Sequence, residues 1–379
     1  MYTLIDRFID KLMKESLPEK PLWNIESIKQ GKEPVWNYID GCMMTSLLAL
    51  HQETKESRYF DFVESFIDFY VFEDGTIRGY DPKNYSTDDI CESRVLFDLY
   101  AKTKRDKYKK AMDLTYQQIK NHPRTHEGNF WHKKIYPNQV WLDGLFMALP
   151  FYTRYETCFN QMKNYPDILH QFSMVRQRMF DQKAKLYYHG YDASKTIFWA
   201  NPETGLSKNF WLRAMGWLAV AMVDVYDYMH PEFKTKDTFL PSLLKEMIDG
   251  LLPHQHPSTN LFFDVVDKGH LDGNYLEASG SALISYAILK GVRLNMLPTH
   301  YEATGLGIFN GICDTYITEV EGDLNMGGIV LVSGLGPENN KKRDGSFEYY
   351  MSEPIVENDA KGVGPLIMAY TEVKRILKT

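Results

Sequence analysis

The chain has 379 residues, of which 44% are hydrophobic and 25% are charged, as in a globular protein with a large core. A formal net charge of −7 argues against a nucleic-acid partner, because phosphate binding requires a basic face, and the sequence shows neither a signal peptide nor a membrane span. Aromatic residues make up 14% of the chain, and rings beyond core needs often line clefts that bind flat or apolar ligand faces.

The first predicted element is a helix over residues 1–13, in which apolar residues at helical spacing are interrupted by charges. From residue 36 onward one pattern recurs, in which an aromatic residue, a charged residue and a glycine lead into an apolar helix. Clear copies begin at residues 36, 141, 211 and 275, and looser copies begin at residues 88 and 358. The sequence therefore contains six similar helix starts.

Several copies are followed by a second, amphipathic helix with charges on its outer face, as in residues 59–70 and 108–119. Two helices per copy predict an all-α fold, a six-hairpin α/α barrel in which apolar inner helices are ringed by amphipathic outer ones. The polar helix starts would then meet at one mouth. Since no Pro/Gly/Ser-rich linker divides the chain, we expect a single domain over residues 1–379.

The connectors before the helix starts contain strand and turn patterns. Residues 71–78 include an Asp-Gly turn, and residues 186–192 and 261–266 resemble short strands. We therefore expect short β-hairpins in the loops at the mouth, where long ordered loops usually build a site.

The four cysteines are far apart and show no CxxC spacing, so we expect reduced, packed thiols and a cytoplasmic location. The sequence has no His-x-x-x-His or comparable ligand set, no P-loop and no dinucleotide fingerprint. It predicts no metal and no cofactor.

One family resemblance rests on long runs of residues. Residues 128–133 (Gly-Asn-Phe-Trp-His-Lys) and 136–144 (Tyr-Pro-Asn-Gln-Val-Trp-Leu-Asp-Gly) are similar to the signature of glycoside hydrolase family 105, the unsaturated rhamnogalacturonyl hydrolases. Residues 352–364 resemble that family too, and the similarity extends over residues 35–371. Members of the family have the six-hairpin α/α barrel that the repeat predicts independently.

The resemblance implies a hydrolase that removes a terminal 4,5-unsaturated uronic acid, an unsaturated galacturonyl group, from rhamnogalacturonan-type fragments of pectin. In this chemistry an acid protonates C4 of the double bond, an oxocarbenium-like cation develops at C5, and water adds there. The resulting hemiketal opens and releases the rest of the oligosaccharide. One carboxyl group can serve first as acid and then as base.

Two acidic residues match the family's site. Asp143, at a helix start, matches the acid/base residue, and Asp88 matches the second acidic residue. A helix start favours an ionised carboxylate, whereas proton donation requires the neutral acid, so burial beside Trp141 or the charge of Asp88 would have to offset the helix dipole. The simpler interpretation of either aspartate is a helix N-cap.

Other residues match the family's substrate site. Arg213 carries a guanidinium fork that suits a uronate carboxylate, and His132 and His189 match polar site residues, although a histidine in such a loop is often only hydrogen bonded. The remaining matches are aromatic residues, which could equally belong to the core: Tyr38, Trp141, Trp211 and Trp217. Asp40 and Lys361 are further charged groups near the expected mouth.

Two alternatives remain open. One is an unsaturated glucuronyl hydrolase of the neighbouring family 88 that acts on glycosaminoglycan or other plant or algal fragments, with nearly the same mechanism. The other is a carbohydrate-binding barrel that has lost its chemistry, since a fold alone does not establish activity. The joint presence of both aspartates, both histidines and Arg213 favours an enzyme.

Overall fold

The computed structural model describes residues 2–378. Its α-helices, in chain order, are α1 (Tyr2–Glu15), α2 (Ile25–Gln30), α3 (Tyr38–Thr54), α4 (Ser57–Tyr70), α5 (Asp88–Cys91), α6 (Leu96–Thr103), α7 (Asp106–Asn121), α8 (Leu142–Phe159), α9 (Tyr165–Met179), α10 (Leu212–Tyr228), α11 (Pro231–Lys234), α12 (Phe239–Leu251), α13 (Ala278–Arg293), α14 (Tyr301–Tyr316), α15 (Phe347–Met351) and α16 (Ala360–Ile376). Its strands are β1 (Gln139–Trp141), β2 (Gly190–Asp192), β3 (Ile317–Val320), β4 (Asp323–Met326), β5 (Ile329–Val330) and β6 (Ile355–Val356).

The inner helices form a closed ring. α3 packs against the 3₁₀ turn that joins α5 to α6, α5 packs against α8, and the contacts continue through α10, α13 and α16 back to α3. These helices are apolar on most sides, and α10 and α13 are buried along nearly their whole length. All six predicted helix starts therefore begin inner segments, and the predicted α/α barrel is confirmed.

The outer helices lie against the inner ring. α4, α7, α9, α12 and α14 each pack on the inner segment that precedes them in the chain. The sixth outer position is taken by α1, because the Tyr2 and Tyr370 rings stack 6.0 Å apart and Lys374 pairs with Asp6 at 3.2 Å. The first and last helices thus complete one hairpin between them.

The repeated glycine allows the helix starts to converge. A Cβ on Gly41 would lie 2.9 Å from the Glu92 Cα on the neighbouring inner segment, and one on Gly280 would lie 2.5 Å from the Leu212 Cγ. Both distances are shorter than ordinary carbon contacts, so any larger residue would push the inner segments apart. The end of the ring where the inner helices begin is called the mouth below.

The strands are short and lie between helices. β1 pairs with β2, β3 with β4, and β5 with β6, each antiparallel. The Asp-Gly turn closes a single bridge between Val71 and Ile77, and the segment predicted at residues 261–266 also forms isolated bridges instead of a longer ladder. Helices that could span a membrane are not found in the part of the chain that the structure describes.

Candidate active site

Asp143 lies in the first turn of α8, beside a short antiparallel ladder. In the pairing of β1 with β2, Trp141 lies opposite Gly190. Next to this pair, the Leu142 amide donates a hydrogen bond of 3.2 Å to the His189 carbonyl. The ladder therefore brings residue 189, from the connector that follows α9, beside the start of α8.

The Asp143 and His189 side chains face each other at the mouth. Asp143 Oδ2 lies 3.3 Å from His189 Nε2, and the two residues are 8% and 0% exposed. Both atoms are buried without a well-aligned hydrogen-bond partner among residues 2–378. Buried polar atoms nearly always form hydrogen bonds, so these two unpaired atoms indicate a place where a ligand or water binds.

Asp88 forms an ion pair that the sequence did not reveal. The Lys133 Nζ lies 2.5 Å from Asp88 Oδ2. Asp88 Oδ1 is buried without a hydrogen-bond partner among the described residues and lies 3.7 Å from His132 Nε2. The Asp88 carboxylate raises the pKa of Lys133 against the opposing effect of its burial, so this lysine stays charged. The carboxylate that we expected to act on Asp143 is therefore paired with a cation.

His132 lies between the two acidic groups and forms part of a stack of rings. Its imidazole stacks on the Trp141 indole with ring centroids 4.2 Å apart, and its Nδ1 lies 3.1 Å from the Thr87 hydroxyl. Burial, reinforced by the neighbouring Lys133 charge, holds the pKa of His132 well below its ordinary value. His132 is therefore a neutral ring at neutral pH.

Arg213 is buried and directs most of its N–H groups to the protein. Its Nε donates to the Ser279 hydroxyl at 2.7 Å, and its Nη2 contacts the Val330 carbonyl and lies 3.5 Å from the Glu277 carboxylate. The Leu331 carbonyl lies 3.5 Å from Nη1. Of the guanidinium fork, Nη1 keeps the most capacity for another ligand.

The other predicted aromatic residues lie at different depths. The Trp211 ring contacts His189 with centroids 4.7 Å apart, and its indole N–H donates to Asp264 at 3.0 Å. Trp217 lies deeper, stacked on Phe146 at 4.3 Å, and Tyr38 meets it edge-on at 6.4 Å. The structure therefore groups Trp141 and Trp211 with the Asp143 pair, and places Trp217 in the packed interior.

Asp40 and Lys361 lie in a charged cluster behind Tyr38. The Trp23 indole donates to Asp40 Oδ1 at 2.7 Å, while no described residue donates to the buried Asp40 Oδ2. Burial raises the pKa of Asp40 to about 7. Lys361 is buried and lies 3.0 Å from Asp359, the N-cap residue of α16. Lys361 and Lys133 thus both have an anionic partner, but the side chain of Lys361 is 1% exposed and that of Lys133 is 25% exposed.

Several residues of the mouth were missed in the sequence. Glu277 caps α13 at the carboxylate position of the repeat, so the repeat itself was a usable signal. Lys133 lies in the run that carries the resemblance, but adjacency to His132 does not show which way its side chain points. Tyr350, whose hydroxyl lies 2.8 Å from His189 Nδ1, and Asp264 come from connectors and carry no local pattern.

Residues 5–377 match the Glycosyl Hydrolase Family 88. The chain is 39% identical to a family 105 glycoside hydrolase of C. acetobutylicum, with a TM-score of 0.90 and 99% of each chain covered. It is 37% identical to protein Atu3128 of Agrobacterium fabrum over 60% of this chain and 97% of that protein. It is 25% identical to the unsaturated rhamnogalacturonyl hydrolase YesR of Bacillus subtilis over 68% of this chain and 72% of that protein.

Proposed function

We propose, on the premise that this chain belongs to the Glycosyl Hydrolase Family 88, that it removes a terminal unsaturated galacturonyl group from rhamnogalacturonan-type oligosaccharides. Family membership makes the chain a glycoside hydrolase that acts on unsaturated uronic acid sugars. The similarity to YesR supports rhamnogalacturonan fragments as the substrate. The free thiols of its four cysteines are in keeping with a cytoplasmic enzyme.

The observation that carries this proposal is the pair formed by Asp143 Oδ2 and His189 Nε2. The two atoms lie 3.3 Å apart, are buried, and lack other hydrogen-bond partners in the part of the chain that the structure describes. A reacting atom that approaches both of them would meet a carboxyl group and an imidazole on one side, and the ring of Trp141 beside them. This is the arrangement required of an acid/base group and its orienting partner.

In the first step, the neutral Asp143 carboxyl group transfers its proton to C4 of the unsaturated ring. The electron pair of the double bond forms the new C4–H bond, and positive charge develops at C5 and the ring oxygen. Burial excludes water from the proton that is transferred, and Asp88 supplies a second carboxylate near the developing cation. Interactions that strengthen as the cation forms are the ones that accelerate the reaction.

In the second step, the Asp143 carboxylate accepts a proton from the water that attacks C5. A C5–O bond forms, the acid is regenerated, and the product is a hemiketal at C5. Its bond between C5 and the ring oxygen then breaks, which leaves C1 as a hemiacetal, and breakdown of this hemiacetal releases the remaining sugar. The overall reaction consumes one water for each glycosidic bond that is broken. The same carboxyl group thus acts as acid and then as base, in line with the single such residue that the resemblance identifies.

Two cations are available for the substrate carboxylate. Lys133 is more accessible, with 25% of its side chain exposed against 1% for Arg213. Arg213 can add a hydrogen bond through Nη1. Its other N–H groups already contact the Ser279 hydroxyl, the Glu277 carboxylate and the Val330 carbonyl. We therefore assign Lys133 as the main contact of the uronate carboxylate, and Arg213 as a supporting one.

The neighbouring sugar decides between the galacturonyl and glucuronyl alternatives. Formation of the double bond makes C4 trigonal, which removes the configuration that distinguishes galacturonic from glucuronic acid. Discrimination must therefore come from the sugar linked to the unsaturated ring. A panel of lyase-cut oligosaccharides tests this, with rhamnose in one substrate and an amino sugar in another, by following loss of the ultraviolet absorbance of the double bond. Faster turnover of the amino-sugar substrate would contradict the rhamnogalacturonan assignment.

The reaction type is tested in deuterated solvent. We expect NMR spectra of the product to show deuterium at C4, delivered through Asp143, and the saturated form of the same oligosaccharide to be inert. Efficient cleavage of the saturated control, or product without deuterium at C4, would show that an ordinary glycosidase mechanism operates instead.

A further inference from the structure

The second nitrogen of His189 faces away from the reacting centre. Its Nδ1 lies 2.8 Å from the hydroxyl of Tyr350, which comes from α15 in the last connector of the barrel. The rings of Trp141 and Trp211 flank the imidazole, with centroids 5.5 Å and 4.7 Å away. The imidazole is thus held between two indoles, with one nitrogen toward Tyr350 and the other toward Asp143.

The direction of the hydrogen bond between Tyr350 and His189 follows from the surrounding groups. Burial raises the pKa of Tyr350 well above its ordinary value, so its hydroxyl keeps its hydrogen. Neither indole competes for Nδ1, because the Trp141 N–H donates to Gln139 and the Trp211 N–H donates to Asp264. Among the described residues, Nδ1 is the acceptor within reach of the Tyr350 hydroxyl. An imidazole whose Nδ1 accepts this hydrogen bond carries its own hydrogen on Nε2.

We propose that Tyr350 is a positioning residue that fixes His189 in the tautomer protonated on Nε2, so that Asp143 faces an N–H donor. This inference rests on the proposed acid/base role of Asp143. Tyr350 is hydrogen bonded to His189 and acts through that residue.

The tautomer determines where the Asp143 proton goes. With a lone pair on Nε2, the imidazole would accept a hydrogen bond from the neutral acid and hold the proton that C4 requires. With an N–H on Nε2, the imidazole cannot accept that proton. It donates instead to the carboxylate left after proton transfer, and so stabilises the charge that develops in the first step.

The test combines NMR spectroscopy with kinetics. We expect ¹⁵N–¹H multiple-bond spectra of the ¹⁵N-histidine-labelled wild-type enzyme to show His189 protonated on Nε2, its signals being those absent from a His189→Gln spectrum. In Tyr350→Phe the His189 signals should shift toward a mixture of tautomers. We expect kcat to fall by about 10- to 100-fold, the range typical of side chains that orient a reacting group, with KM nearly unchanged.

Two further variants separate this role from a structural one. Tyr286→Phe removes another buried hydroxyl, which donates to Asp224 at 2.9 Å, and should leave both kcat and the His189 signals unchanged. In a His189→Gln background, Tyr350→Phe should cost no further activity. An Nδ1-protonated His189 in the wild type, unchanged His189 signals in Tyr350→Phe, or an equal loss of kcat in both backgrounds would overturn the proposal. Because NMR observes the resting enzyme, inactivity of the wild type toward unsaturated sugars would refute the proposed function separately.

Discussion

The carboxylates at the mouth of the barrel and those at its opposite end are both largely buried, but they differ in what they contact. The opposite end, called the far end here, has a cavity of about 70 Å³ lined by five basic and four acidic side chains. Asp224 accepts hydrogen bonds from Lys290 at 2.8 Å and from Tyr286 at 2.9 Å, and lies 3.4 Å from Arg94. At the mouth, Asp143 and Asp40 each keep one buried oxygen to which none of the described residues donates a hydrogen bond.

This difference separates groups that stabilise the fold from groups kept available for chemistry. The inner helices end at the far end, where free carbonyls carry partial negative charge, and the basic side chains neutralise both these carbonyls and the acids. The inner helices begin at the mouth, where the dipoles favour anions, so a carboxylate is tolerated there with fewer protein partners. The same Asp→Asn substitution should therefore have different consequences at the two ends.

The largest expected effect is on activity at the mouth. Asp143→Asn should lower kcat by at least about 100-fold, because the amide keeps the shape of the side chain but cannot donate the proton. Urea-induced unfolding and substrate binding, measured by calorimetry, should stay close to wild type. A folded variant with more than a tenth of the wild-type rate would contradict the role assigned to Asp143.

Asp224→Asn tests the far end and should show the opposite pattern. We expect the free energy of unfolding to fall by about 3 to 5 kcal/mol, because Arg94 and Lys290 lose the carboxylate that neutralises them in a buried place. The rate of the folded enzyme should be unchanged at temperatures well below its unfolding transition. If kcat fell as it does in Asp143→Asn while stability held, the division between the two ends would be wrong.

A lysine at each end sharpens the comparison further. Lys133→Met should reduce the preference for the free uronate over its methyl ester by at least 10-fold in kcat/KM, in keeping with about 1.5 to 3 kcal/mol for a hydrogen bond to a charged group. Lys290→Met at the far end serves as the control and should leave this preference unchanged. Equal preferences in the wild type and Lys133→Met would shift the carboxylate contact to Arg213.

The last prediction concerns the pH dependence of stability. Burial raises the pKa of Asp40 to about 7, from 3.8 in the unfolded chain, so between these values the native state holds a proton that the unfolded state has lost. This contribution to the free energy of unfolding therefore falls as pH rises from about 4 to 7, by about 1.4 kcal/mol per pH unit. Asp40→Asn should gain stability relative to wild type between pH 5 and pH 8 in urea titrations. A constant difference would show that Asp40 is ionised throughout.

The sequence predicted the site residues that lie at helix starts. It missed those whose position depends on how the connectors fold. Asp88 and Asp143 could be placed at one mouth because each begins an inner segment of a repeated unit. Tyr350 could not be placed beside His189, because 161 residues separate them and only closure of the ring brings them together. Trp217 shows a different limit, since an inner helix is apolar on most sides and its pattern does not distinguish a core ring from a substrate platform.

The sixth hairpin, made from α1 and α16, has a consequence for biosynthesis. The apolar face of α1 is formed by Ile5, Phe8, Ile9 and Leu12. Its partner helix, α16, is separated from it in sequence by nearly the whole chain. At roughly 5 to 20 residues per second, translation leaves this face without α16 for roughly 20 to 70 seconds. α1 therefore cannot pack against α16 until α16 has been synthesised. Chaperones that shield short apolar helices would matter most for α1.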